Sequence, residues 1–225
     1  MNDWNYHPVA IVESDDTCDR WDRNGINFLF WWKSKYPNFK ITLFTIPSPE
    51  RTSKEMLELL RRHEDFIELA VHGWNHESNF ENYSWDYDKT MRLMERVESF
   101  GIYKKIYKSP GWCIRPDYNG YPADESAPIS KDKQAVYKAL TDRGYWIVDR
   151  HYNAPGRPEN ANVVCIDDQP LIVHMHTWNM ETGDKKSRNG YQQVEEEHGV
   201  PWDNKTEFYW MSEAIEKGMI TPCQK

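Results

Sequence analysis

The sequence predicts an α/β fold, either an open parallel sheet or a closed barrel, and three observations carry that prediction. Short apolar runs alternate with amphipathic segments along the chain. Strands separated by helices pair in parallel through right-handed crossovers. Polar clusters follow the apolar runs, where parallel folds place their chemistry. A chain of 225 residues is long enough for one substantial core, so a single domain over 1–225 is expected.

The elements follow in order. His7 to Ser14 is the first strand, and Asn24 to Tyr36, dense in apolar residues, suits a buried helix that stops before Pro37. Phe39 to Thr45 is a strand. Thr52 and Glu55 have capping-box spacing for a helix reaching about Arg62, and Phe66 to Val71 is the next strand. Ser84 or Asp86 can cap a helix with Met91, Leu93, Met94 and Val97 on its apolar face, closed by Gly101. Tyr103 to Lys108 is extended, Ser130 to Arg143 is a helix closed by Gly144, and Tyr145 to Val148 is extended again. Asn162 to Ile166 and Leu171 to His176 add strands, and Glu207 to Lys217 forms a final helix ended by Gly218. Ser109 to Ile129 and Thr177 to Asn204, rich in Pro, Gly and Asn, read as loops.

Composition narrows the function. The formal charge is -8, from 28 basic and 36 acidic side chains, and no basic cluster could track a phosphate backbone, so nucleic acid is not an expected partner. No apolar span reaches membrane-helix length, and the first residues lack the layout of a secretion signal, so a cytoplasmic location is expected, with a viral or lysis-released route as the alternative. Cys18, Cys113, Cys165 and Cys223 show no paired spacing, which suggests reduced, packed thiols. Eleven tryptophans and 13 tyrosines are the oddity; planar rings fill cores and also stack on the flat faces of sugars.

The chemistry sits at the ends of the apolar runs. Asp15-Asp16 closes the first, and His72-Gly73-Trp74-Asn75-His76 follows the third. A carboxylate and two imidazoles form the mixed oxygen and nitrogen set that borderline metals such as zinc accept, so Asp16, His72 and His76 define a candidate three-ligand site with an open position for water. Lys108, Asp149 and His176 end later strands in the same way. Each feature alone has an ordinary explanation: adjacent aspartates occur in turns, as at Asp167-Asp168, and histidines four apart are common. The zinc-peptidase reading fails because Gly73 stands where that motif carries its glutamate. The remaining histidines, His63, His151 and His198, have no partner spacing and read as surface residues.

Taken together, the chain resembles the polysaccharide deacetylase family, carbohydrate esterase family 4, whose shared part is the NodB homology domain. Glu13-Ser14-Asp15-Asp16-Thr17 is similar to the family's Thr-Phe-Asp-Asp-Gly element, and His72 to His76 is similar to its His-Ser/Thr-x-x-His, with Gly73 in place of the hydroxyl residue. Lys108-Ser109-Pro110 resembles Arg-x-Pro with lysine for arginine, Asp149 matches a fourth element whose Trp position holds Asn153, and Val173-His174-Met175-His176 resembles the last. The resemblance implies a distorted (β/α) barrel of about seven parallel strands and N-deacetylation of an amino-sugar polymer or oligosaccharide. It implies Asp15 as base and His176 as acid, with His174 a close second. Asp16, His72 and His76 would hold Zn2+ or another divalent transition metal.

Lys108 would hold Asp15 ionised and Asp149 would hold His176 charged. Trp74, Trp112 and Trp178 adjoin these residues and are candidates, with His174, for contact with a carbohydrate substrate. Two further readings are a ring-opening amidohydrolase acting on a small cyclic amide, since a scaffold does not fix a substrate, and a sugar-binding protein whose catalysis has decayed.

Overall fold

The computed structural model describes residues 8–22, 25–79, 81–112, 114, 134–149, 160–166, 169, 171–177, 202–220 and 222. Its strands are β1 (Val9–Thr17), β2 (Ile41–Thr45), β3 (Ile67–His72), β4 (Tyr103–Lys108), β5 (Trp146–Asp149), β6 (Val163–Cys165), β7 (Ile172–Met175) and β8 (Glu207–Phe208). The α-helices are α1 (Asp19–Asp22), α2 (Gly25–Lys35), α3 (Lys54–Arg61), α4 (Tyr87–Ser99), α5 (Ala135–Asp142) and α6 (Met211–Glu216), with 3₁₀ turns at Glu81–Ser84 and Pro110–Trp112. Seven parallel strands, in the order β6-β5-β4-β3-β2-β1-β7, form the curled half-barrel of a distorted (β/α) barrel, and β8 adds a short pairing to β1.

Every residue of β2 and β3 is buried, as expected for parallel strands covered on both faces. Glu68 of β3 is a carboxylate among them, and its environment explains its burial. Its carboxylate accepts hydrogen bonds from Thr42 Oγ1 at 2.9 Å, from the Ser212 backbone N–H at 3.2 Å and from the Ser212 hydroxyl, while the Met211 N–H donates to Thr42 Oγ1 at 2.9 Å. These partners satisfy free N–H groups at the start of α6 and supply the hydrogen bonds that a buried carboxylate needs.

The helix ends show where local signals hold and where they give way. Asp86 caps α4 by accepting from Lys89 N at 2.7 Å, and Gly101 follows that helix at φ 67°. At α3 the cap is Ser53, one residue after Thr52, with its hydroxyl accepting from Met56 N at 3.1 Å. Asp19 draws Ser53 into that role by accepting from the Ser53 N–H and hydroxyl. The expected final helix is split: Glu207 and Phe208 pair with Val9 and Ala10 as β8, and the helix begins at Met211. Val9 and Ala10, at the start of β1 ahead of its ladders with β2 and β7, pair with β8, and this pairing outweighed the helical spacing of Glu207 to Trp210.

The described residues of 1–45, 49–69 and 170–219 form one compact unit, and those of 46–48, 70–169 and 220–225 a second. The first has an aromatic core, with the Trp32 ring centroid 5.4 Å from Phe39 and 5.1 Å from Trp202, and Trp202 5.1 Å from Phe208. His63 packs edge-on to Phe30, with ring centroids 4.5 Å apart. In the second unit Val71, Met94, Val97, Tyr107, Tyr137 and Leu140 are the centre, and the Arg143 guanidinium grips Glu98 of α4 through two bonds of 2.9 and 2.7 Å. Cys18 is buried and outside any disulfide, whereas Cys165 is disulfide-bonded, which corrects the expectation of reduced thiols. Spacing along the chain carries no information on which sulfurs meet in space. Among the described residues no helix is long and apolar enough to cross a membrane.

Two measurements test this packing. Trp32→Ala should lower unfolding stability by about 3–5 kcal/mol in denaturant titration, the range for deleting a buried aromatic ring. The Arg143 fork holds the Glu98 carboxyl below its usual value, so the stabilisation from this pair is present above the ordinary glutamate range and is lost as pH falls through the depressed value. In Arg143→Met, NMR titration should show Glu98 moving back up and that acid-side loss of stability shrinking.

Candidate active site

Six predicted residues stand at strand ends. Asp15 and Asp16 lie near the end of β1, His72, Lys108 and Asp149 are the last residues of β3, β4 and β5, and His176 follows β7 directly. The pairing of β1 with β7 sets part of the site. Glu13 lies opposite His174 and Ser14 opposite Met175, and the Ser14 hydroxyl accepts from the Thr177 N–H at 2.9 Å, fixing the chain on either side of His176. The register between β1 and β2 shifts between Ser14 and Thr17. This irregularity contains both aspartates; such bulges re-aim side chains that regular pleating would send to opposite faces.

The structure brings the polar side chains into two groups. Asp15, His174 and His176 form one, Asp16, His72 and His76 the other, and within each group the potential ligand atoms lie within 4.8 Å of one another. His176 Nε2 also stands 3.6 Å from Asp16 Oδ2, and the His174 and His176 rings meet edge to face at 5.0 Å between centroids. Among the described residues, the non-glycines with positive φ are Asp16 at 62° and His76 at 47°. Left-handed backbone costs a non-glycine residue on the order of 1 kcal/mol and concentrates at functional sites.

Each histidine of the β3 segment is held from behind. His72 Nδ1 lies 3.1 Å from the Lys108 carbonyl oxygen; a carbonyl only accepts, so Nδ1 carries the proton and Nε2 is left with its lone pair. His76 is held through its backbone. The Glu81 carboxylate accepts from the N–H groups of Trp74 at 2.7 Å, Asn75 at 3.2 Å and His76 at 2.9 Å. Burial pushes the Glu81 carboxyl above its usual value, opposed by the N–H donors of Trp74 and Asn75 and by His76. The 3₁₀ turn carrying Glu81 is braced by Asn82, whose amide donates to Tyr107 Oη at 2.7 Å and whose carbonyl accepts from Ser109 Oγ at 2.5 Å.

Two residues that the sequence reading did not select now stand out. Glu81 is one, and nothing in the local sequence marks it. Glu13 is the other: it is fully buried, and its Oε1 accepts from His174 Nδ1 at 2.6 Å. A charged residue inside the apolar run of β1 was the available signal. Lys108 is fully buried, and Asp149, also buried, accepts from Tyr137 Oη at 2.9 Å. The Trp74 ring packs on the second unit's core with the Arg96 guanidinium 4.4 Å from its centroid. Trp112 contributes the end of the Pro110–Trp112 turn. The Trp112 side chain, Trp178, His151, Asn153, His198 and Asp167-Asp168 lie outside the described residues.

No protein-family model and no curated protein matches this chain. Its fold is shared with enzymes of carbohydrate esterase family 4 at low sequence identity. A family 4 acetyl xylan esterase from Clostridium thermocellum, solved with a cobalt ion, is 13% identical with a TM-score of 0.54 over 96% of this chain and 94% of its own. A chitin deacetylase from the fungus Colletotrichum lindemuthianum is 12% identical at TM-score 0.53, covering 95% and 89%. A peptidoglycan N-acetylglucosamine deacetylase is 14% identical at TM-score 0.50, covering 99% and 92%.

The Glu13 contact is open to direct measurement. Histidine 15N spectra should show His174 with its proton on Nδ1, and Glu13→Leu should abolish that preference; an Nδ1 without a proton in the parent protein contradicts the assignment.

Proposed function

We propose that this chain is a metal-dependent hydrolase that removes N-acetyl groups from an amino-sugar polymer or oligosaccharide. The observation that carries the proposal is the grouping of Asp16, His72 and His76, two of which hold strained backbone. One carboxylate and two imidazoles suit a divalent transition metal, zinc first among them, and leave coordination positions open. The donor set fits: His72 Nδ1 is committed to a backbone carbonyl, which is the outer contact that orients a ligating imidazole. A divalent cation bound there supplies Lewis acidity toward water and toward the substrate carbonyl.

The chain's own residues carry the protons. Asp15 accepts a proton from the attacking water as its oxygen bonds to the acetamide carbon. His176 donates a proton to the departing nitrogen as the carbon–nitrogen bond breaks, which yields acetate and a free amine. Glu13 orients His174, which lies beside Asp15 and His176 in the same group and is assigned to substrate contact. Lys108 and Asp149 are assigned to keep Asp15 and His176 in their ionised states, and Trp74, Trp112 and Trp178 to contact with sugar rings. The three structural neighbours support this reading through their own described activities on acetylated carbohydrates.

Acetate release from acetylated chitooligosaccharides, run beside elemental analysis, tests the proposal. Metal with acetate is the expected result; metal without acetate points to another amide substrate, and neither ends the proposal. Asp16→Ala and His72→Ala should lose both metal and activity. Asp15→Asn should keep the metal and lose about 100-fold or more in kcat, the usual scale for a general base.

A further inference from the structure

We propose that Glu81 is a positioning residue for the metal centre: its carboxylate clamps three consecutive backbone N–H groups and so sets the loop geometry that presents His76 beside His72. This rests on the reading of His72 and His76 as metal ligands given above.

The geometry is specific to a group with acceptors on two oxygens. Oε1 takes the Trp74 N–H, and Oε2 takes those of Asn75 and His76. Three successive donors in a non-helical turn form an anion-binding concavity, and a carboxylate fills it from within the chain. His76 itself sits at φ 47° and needs an external hold, because that backbone region is unfavourable for a residue with a side chain.

Gly73 belongs to the same device. Its φ is 65°, and a Cβ there would collide with Glu81 Oε1 and come within 2.6 Å of Pro110 Cγ. The hydroxyl residue that the resembling motif carries at this position is therefore incompatible with Glu81 where it stands. Glycine makes room for a carboxylate that reaches the loop from the 3₁₀ turn, and the bonds of Asn82 to Tyr107 and Ser109 hold that turn in place. Sequence alone presents Gly73 as the loss of a supporting hydroxyl, whereas the structure presents it as space for Glu81.

The test uses the full chain with cobalt(II) chloride and three variants, Glu81→Gln, Glu81→Ala and Gly73→Ala. Outer contacts of this kind are worth about 10–100-fold in metal affinity, so cobalt affinity, measured by competition against a chelating dye, should fall by that factor in each. Gln should fall well short of the parent, because its NH2 group faces an N–H donor that the carboxylate accepted. In the metal-free protein the amide protons of Trp74, Asn75 and His76 should lose exchange protection in the Glu81 variants while the melting transition stays cooperative. Parent-like affinity and protection in Glu81→Gln overturns the proposal, as does a loss of cooperative melting in that isosteric variant. If the parent protein binds no cobalt, the functional reading fails on its own, and amide protection still decides whether Glu81 holds the loop.

Discussion

Consecutive residues of a regular strand point to opposite faces, and the candidate site depends on β1 departing from that rule. The register shift after Ser14 and the left-handed backbone at Asp16 let adjacent aspartates join two different groups, Asp15 with His174 and His176, and Asp16 with His72 and His76. With regular pleating, one of the two carboxylates would be sent away from its group. The strain at Asp16 is the local cost of serving both, and the hydrogen bonds linking Ser14 to Thr177 help hold the bulged end of β1 in place.

Three buried or half-buried carboxylates follow one pattern: each is placed where backbone or side-chain donors already wait. Glu68 meets the free N–H groups of α6, Glu13 meets His174, and Glu81 meets the turn after β3. A carboxylate in an apolar interior is costly without such partners, so these residues mark positions where the fold has donors to satisfy. Glu68 serves the fold, while Glu13 and Glu81 lie behind histidines of the candidate site. The difference lies in what the partner does and cannot be read from burial.

The abundant aromatic residues divide in a similar way. Trp32, Trp202, Phe39 and Phe208 interlock edge to face in the core of one unit. Trp74 combines core packing on one side with an arginine over its ring. Aromatic richness in this chain is therefore in large part a packing solution, since edge-to-face rings fill space at native density while remaining in fixed orientations.

The sequence by itself determined the alternation of strands and helices, the parallel class of the sheet and the position of the polar residues at strand ends, because hydrophobic periodicity and helix caps act over a few neighbouring residues. It also exposed Asp15-Asp16 and His72 to His76, since they interrupt apolar runs. Tertiary structure decided what depends on residues far apart in the chain. Asp19 moved the α3 cap to Ser53, the first residues of β1 drew Glu207 and Phe208 into β8, and Cys165 found a disulfide partner that spacing did not reveal. Glu13 acquired its role only when β7 came within hydrogen-bond reach, whereas Glu81 meets partners 5, 6 and 7 residues away, through a turn that no local pattern marks. Hydrogen bonds and backbone strain depend on distances of a few ångströms between such segments, and no linear pattern encodes them.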